Sequence, residues 1–356
     1  MNKKTICLNM IVKNESHVIR RCLASVKPII NYWVIIDTGS TDGTQQIIRD
    51  FLCDIPGSLH ERPWVNFAHN RNEALAYAKN NGDFLLIIDA DDQLKRNDLF
   101  SLPELNDDLY FVKSQYQETL TEHILLINNH LEWQWEGIIH ERLFIKETRT
   151  CTLIDKITLI INQDGHRSYD LKKKNLNDAY LLEQTLLEDP KNAENSFLLA
   201  MCYDHASENE LALQSYEKRA RMGGYELEVY SSLFRIGCLQ EQLGMPSKQY
   251  LNSFSDAFRS RPTRAEPLYM IANYFIKNEM HFLGYLISRF ALTISLHNDL
   301  YYSISDVYNY GLLFQFAQCA FNTGHYKESY AAFQRLLKIS SLPSELRKTI
   351  EQILAH

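Results

Sequence analysis

Short apolar runs alternate with amphipathic segments through the first half of the chain. TICLNMIV, Thr5 to Val12, predicts a strand, and about Ser16 to Val26 predicts the helix that follows. YWVIIDT predicts a second strand and DGTQQIIRDFL the next helix. GSLHERPW is a candidate third strand, FAHNRNEALAYAKNN reads as a helix, and DFLLIID as a fourth strand. Strand, helix, strand at this spacing predicts an α/β layer with a mostly parallel sheet. LYFVKSQY, HILLINN and TLIIN predict further short strands.

From Lys172 onward the pattern is nearly continuous helix periodicity, broken at EDPKN, RMGGY and LGMPS. This places a boundary near Gly165 to Leu171 and predicts two domains, residues 1–168 and 169–356. FLLAMCYDHASENELALQSYEKR and FQFAQCAFNTGHYKESYAAFQRLL align as helix pairs. Ala200 and Ala317 mark the first helix, with Tyr203 and Phe321 following; Ala212 and Ser329, then Tyr216 and Phe333, mark the second. Small residues let paired helices approach and aromatics fill the gaps between pairs. Weaker copies surround Gly237 and Ala272. The irregular spacing, roughly 35–45 residues, lies near the tetratricopeptide period.

The fourth strand stops at three carboxylates, Asp89, Asp91 and Asp92. Alternate side chains of a strand point the same way. Asp89 and Asp91 therefore converge if the strand reaches them, or fan from the turn just beyond it. Two hard oxygen donors suit Mg²⁺ or Mn²⁺, the usual partners of a diphosphate. The second strand ends at Asp37, followed by a small-residue turn and Asp42, with Gly39 and Gly43 for close approach. The first ends at KNES, with Asn14 and Glu15. Capping explains one such strand end; three together predict a nucleotide-sized ligand at the carboxyl edge of the sheet.

Composition narrows the class. A net charge of −7 argues against bulk nucleic-acid binding. Seven scattered cysteines without a CxxC pair predict reduced thiols in a cytoplasmic protein. No apolar run is long enough to cross a bilayer, which leaves peripheral membrane contact open. There is no GxxxxGK[ST] phosphate loop and no glycine-rich Gly-x-Gly-Thr-Arg opening, so P-loop enzymes and sugar nucleotidyltransferases are disfavoured.

The series MIVKNE, VIIDTGSTDGT, NRNEAL and LLIIDADD resembles a family 2 glycosyltransferase with a GT-A fold. WQWEGIIHERL, LIINQDGHRSYD and YEKRARMGGYELEVY are similar to the bacterial subgroup with tetratricopeptide-like helical tails. The resemblance implies an inverting, metal-dependent hexosyltransferase using a UDP-sugar. It implies that Asp37 contacts the nucleobase, that Asn14, Glu15 and Asp42 share the nucleotide pocket, and that Asp89 contacts ribose. Asp91 would be the direct ligand of Mn²⁺ or Mg²⁺, with Asp89, His140 and His166 as further metal candidates. Arg71 in NRNEAL would reach the diphosphate. Inversion needs a base opposite the leaving group, and WEGIIHE offers Glu141, with Glu136 as runner-up. Trp133 and Trp135 would wall the sugar or the acceptor.

The acceptor is left open between a peptide or protein side chain and a cell-surface or lipid-linked glycan. The helical half would hold it or form a homodimer. The contrasting non-enzymatic reading is a peptide-binding scaffold with a degenerate transferase domain; the intact DADD, DTGSTDGT and HE segments weigh against it.

Overall fold

The computed structural model describes residues 4–96, 102–116, 119–146, 150–296 and 304–354. The chain divides into two compact units, Met1–Leu181 and Leu182–His356. The first runs β1 (Ile6–Val12), α1 (Ile19–Val26), β2 (Tyr32–Asp37), α2 (Thr44–Phe51), β3 (Gly57–Glu61), α3 (Phe67–Ala78) and β4 (Phe84–Ile87). After these come β5 (Gln93–Arg96), β6 (Leu109–Tyr116), β7 (Thr119–Asn128), β8 (Gln134–Glu136), β9 (Arg142–Phe144) and β10 (Cys151–Ile160).

One sheet has the order β3-β2-β1-β4-β7-β6-β10-β5, and β8 pairs with β9 separately. The β3-β2-β1-β4 half is parallel, whereas β7 pairs antiparallel with both β4 and β6. β10 pairs parallel with β6 and antiparallel with β5, so the sheet is mixed, with parallel pairings in the majority as expected. Only residues 117–118 separate β6 from β7, a connection that permits antiparallel pairing and no crossover.

β1 is apolar almost throughout because both of its faces are covered. Ile6, Leu8, Met10 and Val12 pack with Ile19, Cys22, Leu23 and Val26 of α1 and Ile48 of α2. Cys7, with Val34 and Leu85 of its neighbours, packs on Leu75 and Ala78 of α3. The result is a three-layer unit in which β2, β1 and β4 end side by side.

The helix α4 (Leu171–Glu188) spans the division between the units. The second unit continues with α5 (Ala193–His205), α6 (Asn209–Met222), α7 (Glu226–Gln242), α8 (Ser247–Ser260), α9 (Glu266–Lys277) and α10 (His281–Ala291). It ends with α11 (Leu312–Asn322), α12 (Tyr326–Leu337) and α13 (Ser344–Leu354). α5 packs on α6, α7 on α8, α9 on α10 and α11 on α12, as repeated helix pairs. Ala200, Ala212, Ala317 and Ser329 are buried at the crossings, with Tyr216 and Phe333 filling between them. Phe321 departs from the expected pattern: it is 46 % exposed and meets Tyr326 edge-on.

The RMGGY break has a defined cause. Gly223 and Gly224 both have positive φ, which ends α6. The buried Arg219 donates to the Gly223 carbonyl at 2.7 Å and pairs with Glu228. Gly237 is a packing residue: a Cβ there would lie 2.6 Å from the ring of Phe254, itself wholly buried. Gly237→Ala is expected to destabilise by about 1–3 kcal/mol through overpacking, lowering the unfolding midpoint by roughly 2–10 °C. An unchanged midpoint in thermal denaturation would show that α7 and α8 can part.

Candidate functional site

Asp37 is the last residue of β2 and is wholly buried. Gly39, at φ +103°, bends the following turn back on the carboxylate. Asp37 Oδ1 accepts from the backbone N–H of Gly39 (2.9 Å) and Ser40 (2.8 Å) and from Gln45 Nε2 (3.0 Å). Its Oδ2 is buried with no hydrogen-bond partner. A buried carboxylate oxygen left unanswered is costly, so this atom can accept from a donor outside the chain.

The end of β1 is laced to the same turn. Asn14 N–H donates to Ser40 Oγ (2.8 Å), and Asn14 Oδ1 accepts from Thr41 N–H (2.8 Å). Glu15 N–H donates to Thr44 Oγ1 (2.8 Å) and Ser16 N–H to Asp42 Oδ2 (3.0 Å). Asn14 itself holds φ +56°, a left-handed conformation that Asn adopts more readily than most residues. Asp42 Oδ1 also takes the Thr44 hydroxyl (2.6 Å) and N–H (3.1 Å). Partial burial opposes its charge, but these bonds from Thr44 and Ser16 win and hold the carboxyl below the usual range. Asn14 and Asp42 thus shape the pocket loop, with Asp42 engaged in it through both oxygens.

β4 stops at Ile87, so Asp89 and Asp91 fan from the turn beyond the strand. Asp92 N–H closes that turn on the Asp89 carbonyl (3.2 Å). A strap from residues 162–166 lies against it. Asn162 Nδ2 (3.0 Å) and Arg21 Nη2 (2.6 Å) donate to the Asp91 carbonyl, and Arg21 grips Asp164 through both Nη atoms. Gly165 N–H donates to Asp91 Oδ2 (3.1 Å), and His166 N–H meets both Glu15 oxygens. A Cβ on Gly165 would stand 2.8 Å from Asp91 Oδ2, so glycine alone permits this approach. Arg21, Asn162, Asp164 and Gly165 are site residues that sequence reasoning missed. The Asp-Gly pair directly before His166 is the trace they leave.

Charge is poorly compensated on this edge. Burial, then Asp91, Asp42 and Asp89, push Glu15 up to about 7 despite the His166 N–H. Burial, then Asp89 and Asp91, push Asp92 up to about 8. Asp91 is raised by burial and by Asp89. Glu15 and Asp92 stay protonated in the fold where the unfolded chain has ionised. Their contribution to stability is complete below pH ~4 and lost as pH rises through about 7–8. In chelator, the unfolding midpoint is expected to fall by several degrees between pH 5.5 and 8.5, and Asp92→Asn should flatten that slope. Equal slopes in the two proteins, followed by thermal denaturation, would contradict the crowding described.

Arg71 stands where the buried stripe of α3, Ala68, Ala74, Leu75 and Ala78, has its one cation. Its Nη2 donates to Asp89 Oδ1 and its Nε to Glu141 Oε1, both at 2.6 Å. The guanidinium also lies 5.0 Å from the centroid of the Trp135 ring. Burial opposes its charge, but Asp89 and Glu141 outweigh this and raise its proton affinity. Asp89 keeps 51 % of its side chain open to solvent. Burial works against its ionisation, yet the attraction of Arg71 prevails and holds it below the usual range. Arg71 therefore joins the acid expected on the donor side to the acid expected on the acceptor side.

β8 and β9 form a hairpin clipped to α3: Asn72 Nδ2 donates to the Trp135 carbonyl (2.9 Å), and Trp135 N–H donates to Asn72 Oδ1 (2.8 Å). Glu136 lies exposed on β8, opposite Arg142. Trp133 is half-buried and spends its Nε1–H on the Asn128 carbonyl (2.8 Å). The Trp135 Nε1 is buried without a partner. His140 is exposed in the hairpin loop at φ +52°. His166 is also exposed, with its ring against Tyr169 and its backbone N–H, rather than its ring, on Glu15.

The expected set of Asp91, Asp89, His140 and His166 is not assembled into a metal centre. Among the described residues no group of three His, Cys, Asp or Glu side chains is placed to hold an ion. The His166 ring lies against Tyr169, and Asp89 is engaged by Arg71. The donors present still fit Mg²⁺ or Mn²⁺ of the kind held by one or two carboxylates, with substrate phosphates completing the shell. All seven cysteines are free, and no described helix is long and apolar enough to cross a membrane.

Residues 7–131 match the family described as Glycosyl transferase family 2. The chain is 26 % identical over 227 residues to the SPbeta prophage-derived glycosyltransferase SunS of Bacillus subtilis, covering 60 % of this chain and 53 % of that protein. It is 32 % identical over 116 residues to an uncharacterized glycosyltransferase of Rickettsia bellii, covering 32 % of this chain and 35 % of the relative. The chain thus spans about half the length of SunS, and less of the Rickettsia protein. Among solved structures, MamA aligns with 53 % of this chain and 99 % of its own at 14 % identity and a TM-score of 0.39.

Proposed function

With a family 2 glycosyl transferase domain at residues 7–131 as the premise, we propose that the protein is an inverting glycosyltransferase that uses a UDP-sugar. The observation that carries this reading is the unanswered Asp37 Oδ2, buried at the same sheet edge as the under-compensated acids of β1 and β4. Uracil offers an imide N–H of the kind that oxygen lacks. The diphosphate then runs along the strand ends toward Asp89 and Asp91.

Asp91, with Asp89 beside it, would hold Mn²⁺ or Mg²⁺. Bound there, the ion supplies Lewis-acid neutralisation of the charge that grows on the departing diphosphate. Arg21, Asn162 and Gly165 fix the Asp91 turn so that its carboxylate does not swing away. Attack on the anomeric carbon from the face opposite the diphosphate requires the acceptor to give up a proton. Glu141 is the base on this reading, with Glu136 on the same hairpin as the second candidate. Diphosphate competes with Glu141 and Asp89 for the Arg71 guanidinium, so donor binding loosens the ion pair that holds Glu141 in the free protein.

The test is a panel of UDP-sugars incubated with the full chain and Mn²⁺, with released UDP measured. At least one donor is expected to yield UDP, and Asp37→Ala to abolish it. No release from any donor, or release that survives Asp37→Ala unchanged, contradicts the proposal.

A further inference from the structure

A cavity of about 820 Å³ lies behind the β8–β9 hairpin, walled by α3 and the segment that follows β7. None of the strand-end acids Asp37, Asp89 and Asp91 lines it. Arg71 reaches the cleft acids, whereas the next residue, Asn72, lines the cavity and clips the hairpin to α3. We propose that this cavity binds a saccharide, the sugar portion of the acceptor; the word acceptor rests on the transferase reading, and the binding site does not.

The hairpin register sets up the wall. Gln134 pairs with Phe144 and Glu136 with Arg142, so these four share one face; Trp135 and Leu143 share the other and pack on the α3 side of the core. The first face is open, and Phe144 is 45 % exposed at the cavity. Trp133 lines it too, with its ring orientation fixed by the bond to Asn128. Leu131 and Leu75 continue the apolar lining.

Set among these are polar groups with capacity to spare. Among the described residues, the Gln134 amide and the Lys146 ammonium, both in the lining, have no hydrogen-bond or ion-pair partner. Lys79 and Glu132 face one another at 2.7 Å, with Glu132 almost fully exposed.

A pyranose has the matching surface: a face of C–H groups that packs on aromatic rings, and a rim of hydroxyls that both donate and accept. A purely apolar ligand would make no use of the exposed Gln134 amide or Lys146 ammonium in the lining. A peptide added as a strand would find only the three-residue edges of β8 and β9. The volume falls in the range of small-ligand pockets. Gln134 lies two residues, roughly 7 Å, from Glu136 along the strand. A sugar held at Gln134 and Phe144 therefore leads the chain it belongs to toward the end of the hairpin that bears Glu136 and, in the loop beyond, Glu141.

The experiment applies the full chain to an array of defined oligosaccharides and an array of peptides, with UDP titration and thermal denaturation on the same preparation. Phe144→Ala and Gln134→Ala accompany it, both at solvent-facing positions. Retention of one saccharide class is expected, weakened at least tenfold in Phe144→Ala, with UDP affinity and unfolding midpoint unchanged. Where transfer is measurable, the acceptor KM should rise while kcat holds. Saccharide retention indifferent to both substitutions, retention of peptides alone, or no saccharide bound by a chain that binds UDP would overturn the proposal. Failure of the wild-type chain to bind UDP would sink the transferase reading instead, and saccharide retention that Phe144→Ala abolishes would still uphold the cavity.

Discussion

Asp91→Asn is expected to lower UDP-sugar turnover by about 10³-fold, the scale seen when a group stabilising developing transition-state charge is removed. The fold should survive intact. Burial and Asp89 already disfavour the Asp91 charge, so a neutral amide relieves repulsion in the metal-free protein. The Asn carbonyl oxygen can still accept from Gly165 N–H, which keeps the turn in place. The unfolding midpoint should therefore hold or rise while UDP release collapses, and chelator should reproduce the loss in the parent. Parental turnover by Asp91→Asn in chelator would remove the electrophilic metal from the mechanism.

Glu141→Gln is expected to lower kcat by about 10²–10⁴-fold, the usual contribution of a positioned base, with donor affinity held or raised. The substitution also takes a counter-charge from Arg71, so loss of an ion pair must be separated from loss of a base. Arg71→Lys does this: it keeps the cation but cannot bridge Asp89 and Glu141 with two directed bonds. On the present account Arg71→Lys weakens donor binding, whereas Glu141→Gln removes a competitor of the diphosphate for Arg71, leaves donor binding at least as tight and lowers kcat. If Glu141→Gln turns over at the parental rate, the base lies elsewhere and Glu136 is the next to replace.

Much of this site was legible because strand ends are legible. The apolar runs ending at Asn14, Asp37 and Asp89 announce their polar tips. Once β2, β1 and β4 prove adjacent and parallel, those tips must meet. What could not be read was the return of distant segments. Arg21 on α1 and Gly165 after β10 reach Asp91 through backbone atoms, and bonds to backbone leave almost no signature in side-chain type. The hairpin was opaque for a related reason. WQWEGIIHERL shows two tryptophans and three candidate acid–base groups, but only the clip by Asn72 decides which of them face Arg71. The helical half was legible as period and small-residue spacing. Phe321 misled because an aromatic at the end of a helix can pack on its neighbour Tyr326 at the surface as well as in the core.

A crystal structure of the full chain with UDP and Mn²⁺ bears most directly on the central claim, that the carboxyl edge of β2, β1 and β4 grips a cation-loaded nucleotide. The account predicts an imide N–H of uracil on Asp37 Oδ2 and the ion on Asp91 and the diphosphate. Uracil and metal both absent from the Asp37–Asp91 cleft, with Arg71 still bound to Asp89 and Glu141, would contradict it.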